Sequence, residues 1–248
     1  MKTIISTDRK TAGCEAASHG AGLLRQALHE RGAASMILAT GASQIEMLEA
    51  LLREPDIAWE QVTVFHLDEY VGIAVTHPAS FRHYLWERFH RLLPIPLKAF
   101  HYIDASGDPA AECKRLGGLI LQHPVDVCFA GIGENGHLAF NDPPADFETE
   151  QPYLLVQLDE ACRRQQLGEG WFPSLEAVPR QAISMSIRQI LKSKSLIITV
   201  PDLRKADAVR KTIEGQVTPD VPASILQRHP DVGLYLDPPS ASLLTKIP

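Results

Sequence analysis

From residue 35 to residue 236, short apolar runs alternate with stretches whose apolar positions recur at helical spacing. The short runs are rich in β-branched residues, which indicates buried strands; we predict strands at 35–40, 61–67, 125–130, 196–200 and 232–236. The longer stretches place apolar residues on one side of a helix, and we predict helices at 45–53, 81–92, 110–121 and 205–214. This alternation is typical of an α/β fold with a mostly parallel sheet and helices on both faces.

The 248 residues contain no linker, no internal repeat and no low-complexity segment. We therefore predict a single domain over residues 1–248, built on a Rossmann-like sheet. The least regular part is 143–179, which could hold a lid or a small insertion.

The composition argues against nucleic-acid-binding, membrane and secreted proteins. Charged residues make up 22% and hydrophobic residues 45% of the chain, and the net charge of -6 gives no basic surface for nucleic acid. No apolar run reaches about 18 residues, and the N-terminus turns polar too soon for a secretory signal, so we expect a cytoplasmic protein with no membrane partner. The cysteines lack Cys-x-x-Cys spacing and are expected to be reduced thiols: Cys14, Cys113, Cys128 and Cys162.

The loop after the strand at 125–130 carries the strongest chemical signal. Its sequence over 131–143 is Gly-Ile-Gly-Glu-Asn-Gly-His-Leu-Ala-Phe-Asn-Asp-Pro, which holds several glycines together with His137 and the carboxylate Asp142. Glycines let the backbone approach a ligand, and ligands of open α/β sheets bind at the carboxyl ends of strands. A titratable group there can act on a bound molecule; a turn whose His137 only caps a neighbour is the structural alternative.

Three further loops follow predicted strands. Residues 41–44 open a helix and could seat an anion such as phosphate, or could form a simple turn capped by Ser43. Residues 67–72 carry two adjacent carboxylates at a strand end, and residues 201–205 carry two cations, one of them Lys205. Each pattern is ambiguous alone, but four loops at the carboxyl ends of one sheet converge on one crevice. Together they favour a phosphate-carrying small molecule as the ligand.

Two long motifs resemble the glucosamine-6-phosphate deaminase (isomerase) family. They are Leu-Asp-Glu-Tyr-Val-Gly at 67–72, with His-Pro-Ala-Ser-Phe at 77–81, and Gly-Glu-Asn-Gly-His-Leu-Ala-Phe-Asn-Asp-Pro at 133–143. Shorter matches in the same order extend the resemblance over nearly the whole chain, at 39–43, 204–206 and 222–227. The wider superfamily includes 6-phosphogluconolactonases, which continue after Gly-His with a Ser-Leu-Phe-Pro type of run. The Phe-Asn-Asp at 140–142 favours the deaminase branch instead.

The resemblance implies a reaction that turns an aminosugar 6-phosphate into a ketose phosphate and ammonia. His137 matches the residue that opens the sugar ring, a task that suits a group titrating near neutrality. Asp68 matches the general base that moves the C2 proton to C1, and Asp142 matches the acidic residue that orients the histidine, with Asn135 beside it. The implied substrate-binding residues are Thr40, Gly41, Ala42, Ser43, Gly136 and Lys205. No metal or organic cofactor is implied, because the unmasked carbonyl of the substrate itself acidifies C2.

The chain departs from the family pattern in its acidic residues and in one arginine. Asn135 stands where many members have Asp, and an amide cannot stabilise an imidazolium as a full charge does. Asp142 stands where many members have Glu and is one methylene shorter. The arginine that some members supply to the phosphate from the helix after the lid segment has no clear match, and Arg163 and Arg164 are the candidates. The allosteric residues of regulated hexameric members are not evident after residue 143, which argues against regulation by an acetylated aminosugar phosphate.

Several functions remain open at this point. The leading one is deamination of glucosamine 6-phosphate, with the galactosamine epimer as a variant; the expected partner is this small molecule, and a homo-oligomer is a further expectation. A 6-phosphogluconolactonase-like hydrolase would need only His137 to activate water, and a non-catalytic sugar-phosphate sensor would bind without turnover. A zinc or manganese site has the weakest case, because metal ligands cannot also serve freely as base and proton shuttle; its candidate ligands are His66, Asp68, His137 and Asp142.

Overall fold

The structure, a computed structural model, describes residues 1–168 and 170–245. Within these residues the strands are β1 (Lys2–Ile5), β2 (Ala34–Leu38), β3 (Val62–His66), β4 (Asp68–Tyr70), β5 (Ala99–His101), β6 (Val127–Ala130), β7 (Tyr153–Gln157), β8 (Gln181–Met185), β9 (Ser195–Val200) and β10 (Val232–Leu236). The helices are α1 (Arg9–Arg31), α2 (Ile45–Leu51), α3 (Phe81–Arg88), α4 (Pro109–Ile120), α5 (Glu160–Gly168), α6 (Ile187–Leu191), α7 (Ala206–Glu214) and α8 (Pro238–Ala241). Glu169, inside the predicted lid segment 143–179, and residues 246–248 of the predicted domain lie outside the described residues.

Seven strands form one parallel sheet in the order β1-β10-β9-β6-β2-β3-β5. The five predicted strands are β2, β3, β6, β9 and β10, and the four predicted helices are α2, α3, α4 and α7. The predicted α/β class with a Rossmann-like sheet is therefore confirmed. The helix predicted at 81–92 is shorter, because α3 ends at Arg88 and a 3-10 turn, His90–Leu92, follows it.

The apolar pattern does not predict α1, although it is a helix of 23 residues. Its buried face consists almost entirely of alanine and glycine, which give little apolar periodicity: Ala12, Gly13, Ala16, Ala17, Gly20, Ala21, Leu24 and Ala27. These small residues let the helix approach its neighbours closely. A Cβ at Gly20 would lie 2.2 Å from Cζ of Phe129 in β6, and a Cβ at Gly13 would lie 2.7 Å from Cβ of Glu46 in α2.

After β3 the chain leaves the parallel sheet and enters a small antiparallel sheet with the order β4-β8-β7. Leu67 joins the two sheets, because its N–H donates to the carbonyl of Leu38 at 3.2 Å and its carbonyl accepts from the N–H of Met185 at 2.9 Å. The predicted irregular segment 143–179 contributes β7 and α5 to this region. The second sheet is the main feature of the fold that the sequence pattern does not predict.

Apolar side chains cover both faces of the parallel sheet. Successive residues of a strand point to opposite faces, so in β2 Ile37 joins one buried cluster while Met36 and Leu38 join the other. This two-sided burial explains why the strands have near-continuous apolar sequences. Among the described residues, no helix is both long and apolar enough to cross a membrane.

Candidate active site

A cavity of about 290 Å³ lies beside the carboxyl ends of four strands of the parallel sheet. Its lining includes residues of all four loops that the sequence singled out, those that follow β2, β3, β6 and β9. These four strands are neighbours in the order β9-β6-β2-β3, which brings loops distant in sequence together. The expectation that the four loops share one crevice is therefore met.

Asp68 is the first residue of β4 and lines the cavity, with only 7% of its surface exposed. Its neighbour Glu69 is fully buried and serves a different purpose, accepting hydrogen bonds from Ser80 Oγ at 2.9 Å and from the N–H groups of Phe81 and Arg82 at 3.0 and 2.8 Å. Burial raises the pKa of Glu69, and these hydrogen bonds and the charge of Arg82 oppose that rise. Glu69 thus ties β4 to the start of α3 and fixes the backbone that carries Asp68.

His137, Asp142 and Asn135 are brought together, as the sequence predicted. Nδ1 of His137 lies 3.1 Å from Oδ1 of Asp142, and the two side chains are only 11% and 13% exposed. Asn135 donates from Nδ2 to the same Oδ1 at 3.0 Å and accepts the backbone N–H of His137 at 3.0 Å. A proton on Nδ1, facing the carboxylate, leaves Nε2 as the basic ring nitrogen. Only His137 of the three lines the cavity, so Asn135 and Asp142 support the imidazole from behind.

The carboxylate of Asp142 is ionised over the whole neutral range. Burial would raise its pKa, but hydrogen bonds from His137, Asn135 and Cys162 and the charge of the imidazole outweigh burial and hold the pKa at about 2. The charged carboxylate next to Nδ1 orients the imidazole and favours the tautomer with its proton on Nδ1. Asp142 therefore supplies the full charge that Asn135 cannot.

Gly133 makes room for the imidazole. A Cβ at this position would lie 2.2 Å from Cε1 and Nε2 of His137 and 2.4 Å from its Cδ2. Any side chain here would push the ring out of place. This glycine of the loop therefore serves the close approach of the protein's own histidine.

The loop after β2 contributes Thr40, Gly41, Ala42 and Ser43 to the cavity lining. Gly41 has φ +95, and its carbonyl accepts a hydrogen bond from Oη of Tyr84 at 2.9 Å. Ser43 does not cap a helix; it lies inside the 3-10 turn Ala42–Gln44, and its Oγ accepts from Nε2 of Gln44 at 3.0 Å. The capped-turn alternative for this loop is therefore wrong. The helix that follows has only 7 residues, so its dipole is weaker than the sequence led us to expect.

Lys205 and Arg204 line the cavity from the 3-10 turn Leu203–Lys205. Arg204 pairs with Asp202, at 3.1 Å between Nη2 and Oδ2, and with Glu134 of the neighbouring loop, at 3.5 Å between Nη1 and Oε1. Asp202 has φ +92, a strained value for a residue with a side chain, and its N–H donates to both carboxylate oxygens of Asp237 at 3.1 Å. The loop is thus held firmly at the edge of the cavity.

Gly136, predicted to bind substrate, is not among the residues that line the cavity, and its substrate-binding role stays a prediction. It has φ +87, and a Cβ there would lie 3.1 Å from Cγ1 of Val221. Its carbonyl accepts the N–H of Ala223 at 2.8 Å. Gly136 therefore lets the histidine loop pack against the 3-10 segment Pro222–Arg228.

Arg163 and Arg164 do not complete a phosphate site. Arg163 donates to the backbone carbonyls of Leu175 and Val178 within its own segment. Arg164 pairs with Glu160 one turn away on α5. Neither arginine lines the cavity, so both are excluded as the missing phosphate ligand by their position.

The metal site considered for His66, Asp68, His137 and Asp142 is not assembled. His66 is fully buried and lies outside the cavity lining; burial, with a smaller effect of Arg82, lowers its pKa to about 3. In the part of the chain that the structure describes, no three His, Cys, Asp or Glu side chains are grouped so as to hold a metal ion.

Sequence reasoning missed five cavity residues: Arg9, Gln165, Gln166, Gly168 and Trp171. Gln166 accepts a hydrogen bond from Oη of Tyr70 at 2.5 Å, which links α5 to the strand that carries Asp68. A local signal marks the start of α1 but not the place of Arg9 at the cavity: Asp8 caps the helix by accepting the N–H of Thr11 at 2.8 Å. No comparable signal marks Gln165, Gln166 or Trp171.

Comparison with known proteins gives consistent matches over most of the chain. The profile of a family described as glucosamine-6-phosphate isomerases/6-phosphogluconolactonase matches residues 7–233. A glucosamine-6-phosphate deaminase of Oenococcus oeni is 37% identical over 234 residues, 94% of this chain and 95% of its own length. A glucosamine-6-phosphate deaminase of Streptococcus suis is 38% identical over 232 residues, 93% and 95% of the two lengths.

Solved structures agree with these matches. A structure described as a monomeric glucosamine-6-phosphate deaminase superposes with a TM-score of 0.86 at 32% identity and covers 98% of this chain and 100% of its own. A 6-phosphogluconolactonase from Thermotoga maritima superposes with a TM-score of 0.77 at 16% identity, over 95% and 99% of the two chains. The second likeness is one of fold alone.

Proposed function

This chain belongs to the family of glucosamine-6-phosphate isomerases and 6-phosphogluconolactonases, and we propose that it is a glucosamine-6-phosphate deaminase. The observation that carries the proposal is the pairing of two catalytic groups in one cavity. Asp68 and His137 both line the cavity, and each is fixed by supporting contacts. A lactone hydrolase needs a single base to activate water, whereas this reaction needs one group for ring opening and another for the carbon acid.

Ring opening is the task of His137 in this proposal. Nε2 takes the proton of the C1 hydroxyl and returns it to the ring oxygen, so that the C1–O5 bond breaks and C1 becomes an aldehyde. The carboxylate of Asp142 stabilises the positive imidazole between these two transfers.

Asp68 then removes the C2 proton, which the new carbonyl has made acidic. The C2–H electron pair forms the C1–C2 double bond while the C1 oxygen takes a proton from the C2 ammonium, which gives an enolamine. Asp68 then returns its proton to C1, and the nitrogen lone pair forms an iminium at C2. Water adds to C2 and the C–N bond breaks, so the products are fructose 6-phosphate and ammonia. Because water is consumed at the C–N bond, the reaction is an isomerisation coupled to a hydrolysis, and in that sense the enzyme is a hydrolase.

The experiment that tests the proposal is an ammonia-release assay on the purified protein with three substrates. Glucosamine 6-phosphate should release ammonia, and galactosamine 6-phosphate tests whether the C4 epimer is accepted. Acid release from 6-phosphogluconolactone without ammonia from either aminosugar would instead assign the lactonase reaction. Tight binding of glucosamine 6-phosphate without any product would assign a sensor.

We further propose that the segment 143–179 covers the bound sugar and that one copy of the chain holds a complete site. Gln165 and Trp171 of this segment line the same cavity as the loops of the parallel sheet. A solved relative of 32% identity is described as a monomeric glucosamine-6-phosphate deaminase, which supports a site formed within one copy. Gel filtration of the active protein tests this; activity confined to an oligomeric fraction would show that the sequence-based expectation of a homo-oligomer is the better one.

A further inference from the structure

Arg9 is an arginine of the cavity lining that no motif identified. It is the first residue of α1, and its side chain is 38% exposed. Four residues further on, Gly13 allows α1 to approach Glu46 of α2 within contact distance. Because positions four apart share one face of a helix, this close packing brings the guanidinium of Arg9 to Glu46 and to the loop after β2.

Two sets of contacts hold the guanidinium of Arg9 in place. Glu46 forms an ion pair with the guanidinium, with 2.7 Å between Nε and Oε1 and 3.0 Å between Nη2 and Oε2. Nη2 also donates to the carbonyl of Ala42 at 2.6 Å. Hydrogen bonds from Nη2 and the short Nε–Oε1 ion-pair distance restrain the guanidinium, so less side-chain freedom remains to be lost when a further ligand binds.

Nη1 of Arg9 makes none of these contacts. No acceptor within residues 1–168 and 170–245 takes a hydrogen bond from Nη1. The charge also acts on the loop after β9: the pKa of Asp202 is lowered, chiefly by hydrogen bonds from Arg204, and the charge of Arg9 adds to that effect. Arg9 therefore contacts the loop after β2, and its charge acts on the loop after β9, which carries Lys205. These two loops hold the expected phosphate ligands.

We propose that Arg9 binds the phosphate of the substrate, together with Lys205 and the loop 40–43. The proposal rests on the function proposed above and assigns the arginine of the phosphate site. Arg163 and Arg164 are turned away from the cavity, and Arg204 is engaged by Asp202 and Glu134. Arg9 is thus the cavity arginine whose guanidinium is restrained while donors remain for an anion.

Arg25 offers a matched control on the same helix. It pairs with Glu54 at 3.2 Å and donates to the carbonyl of Pro55 at 2.9 Å, which repeats the carboxylate and carbonyl contacts of Arg9. Arg25 does not line the cavity. If weaker packing of α1 alone lowers phosphate affinity, the affinity should fall in both Arg9→Ala and Arg25→Ala. If a direct phosphate contact is lost, the affinity should fall in Arg9→Ala only.

The test compares Arg9→Ala, Arg9→Lys and Arg25→Ala with the unaltered protein. We expect Arg9→Ala to raise KM for glucosamine 6-phosphate and Kd for inorganic phosphate by roughly 10- to 100-fold, the effect of one charge-assisted hydrogen bond, with kcat changed far less. Arg9→Lys should recover part of the lost affinity, because the positive charge is retained. Recovery should be incomplete, because lysine lacks the paired N–H donors of the planar guanidinium. Arg25→Ala should bind phosphate as the unaltered protein does.

Two outcomes would overturn the inference: KM and phosphate Kd unchanged in Arg9→Ala, or an equal loss in Arg25→Ala. Calorimetric titration with inorganic phosphate does not depend on turnover. If the unaltered protein released no ammonia while Arg9→Ala still weakened phosphate binding, the proposed function would fail and the role of Arg9 would stand.

Discussion

The substitution Asp142→Asn tests the charge that supports the imidazole. The side chain is 13% exposed, so water screens its contacts little. Lowering its pKa from the usual 3.8 to about 2 corresponds to roughly 2 kcal/mol of folding stability at neutral pH. Since the pKa is lower in the folded protein, this stability is present above the ordinary pKa and is lost as pH falls toward about 2.

Urea unfolding at pH 7, 5, 4 and 3 measures this contribution. We expect the unaltered protein to exceed Asp142→Asn by about 2 kcal/mol at pH 7, and the gap to shrink by about 1 kcal/mol by pH 3. All other carboxyl groups cancel in the difference between the two proteins. Glu160→Gln is the control, because its 65% exposed side chain pairs with Arg164 on the surface, where the expected effect is close to zero at every pH. A gap that stayed constant from pH 7 to pH 3 would refute the assigned ionisation of Asp142.

Three further variants test the catalytic assignments. Asp68→Asn should slow exchange of the C2 proton with solvent, followed by NMR in deuterium oxide, by roughly 10²–10⁴-fold; exchange at the normal rate would mean that another group is the base. His137→Gln should be slow on the ring form of the substrate and recover much of its C2 chemistry on an open-chain analogue that cannot cyclise, whereas equal losses on both would place His137 at a later step. Gly133→Ala places a methyl 2.2 Å from the imidazole and should lower kcat while inorganic phosphate still binds; an unchanged kcat would show that the ring position does not matter.

The sequence predicts those parts of the fold whose residues are large and apolar. The strands of the sheet centre have β-branched apolar runs, and α4 and α7 have clear apolar faces, so their bounds agree within about two residues. Helix α1 cannot be found this way, because alanine and glycine on its buried face produce no strong period. The pairing of β4 with β8 cannot be found either, because it depends on where the chain leaves the first sheet after Leu67.

The residues of the candidate site also differ in whether the sequence alone predicts them. Asp68, His137 and Asp142 lie in long motifs, and the parallel sheet brings their loops together, so the sequence could place them. Arg9 reaches the cavity only through the close packing of α1 on α2, a tertiary contact that no local pattern encodes. No local pattern shows that the second carboxylate after β3 is buried, since the burial of Glu69 depends on the start of α3.

The strand order has a consequence for the folding of the nascent chain. Strand β1 precedes the other described strands in the chain, yet within the described sheet it pairs only with β10, which follows all of them. Contacts between residues so far apart in sequence form slowly, because a long loop must close before they can stabilise anything. Arg9 directly follows β1 and its turn, so the edge of the sheet that anchors its helix is completed only after β10 has left the ribosome. Truncation before β10 would therefore leave Asp68 and His137 on a partial sheet while β1 lacked its neighbour.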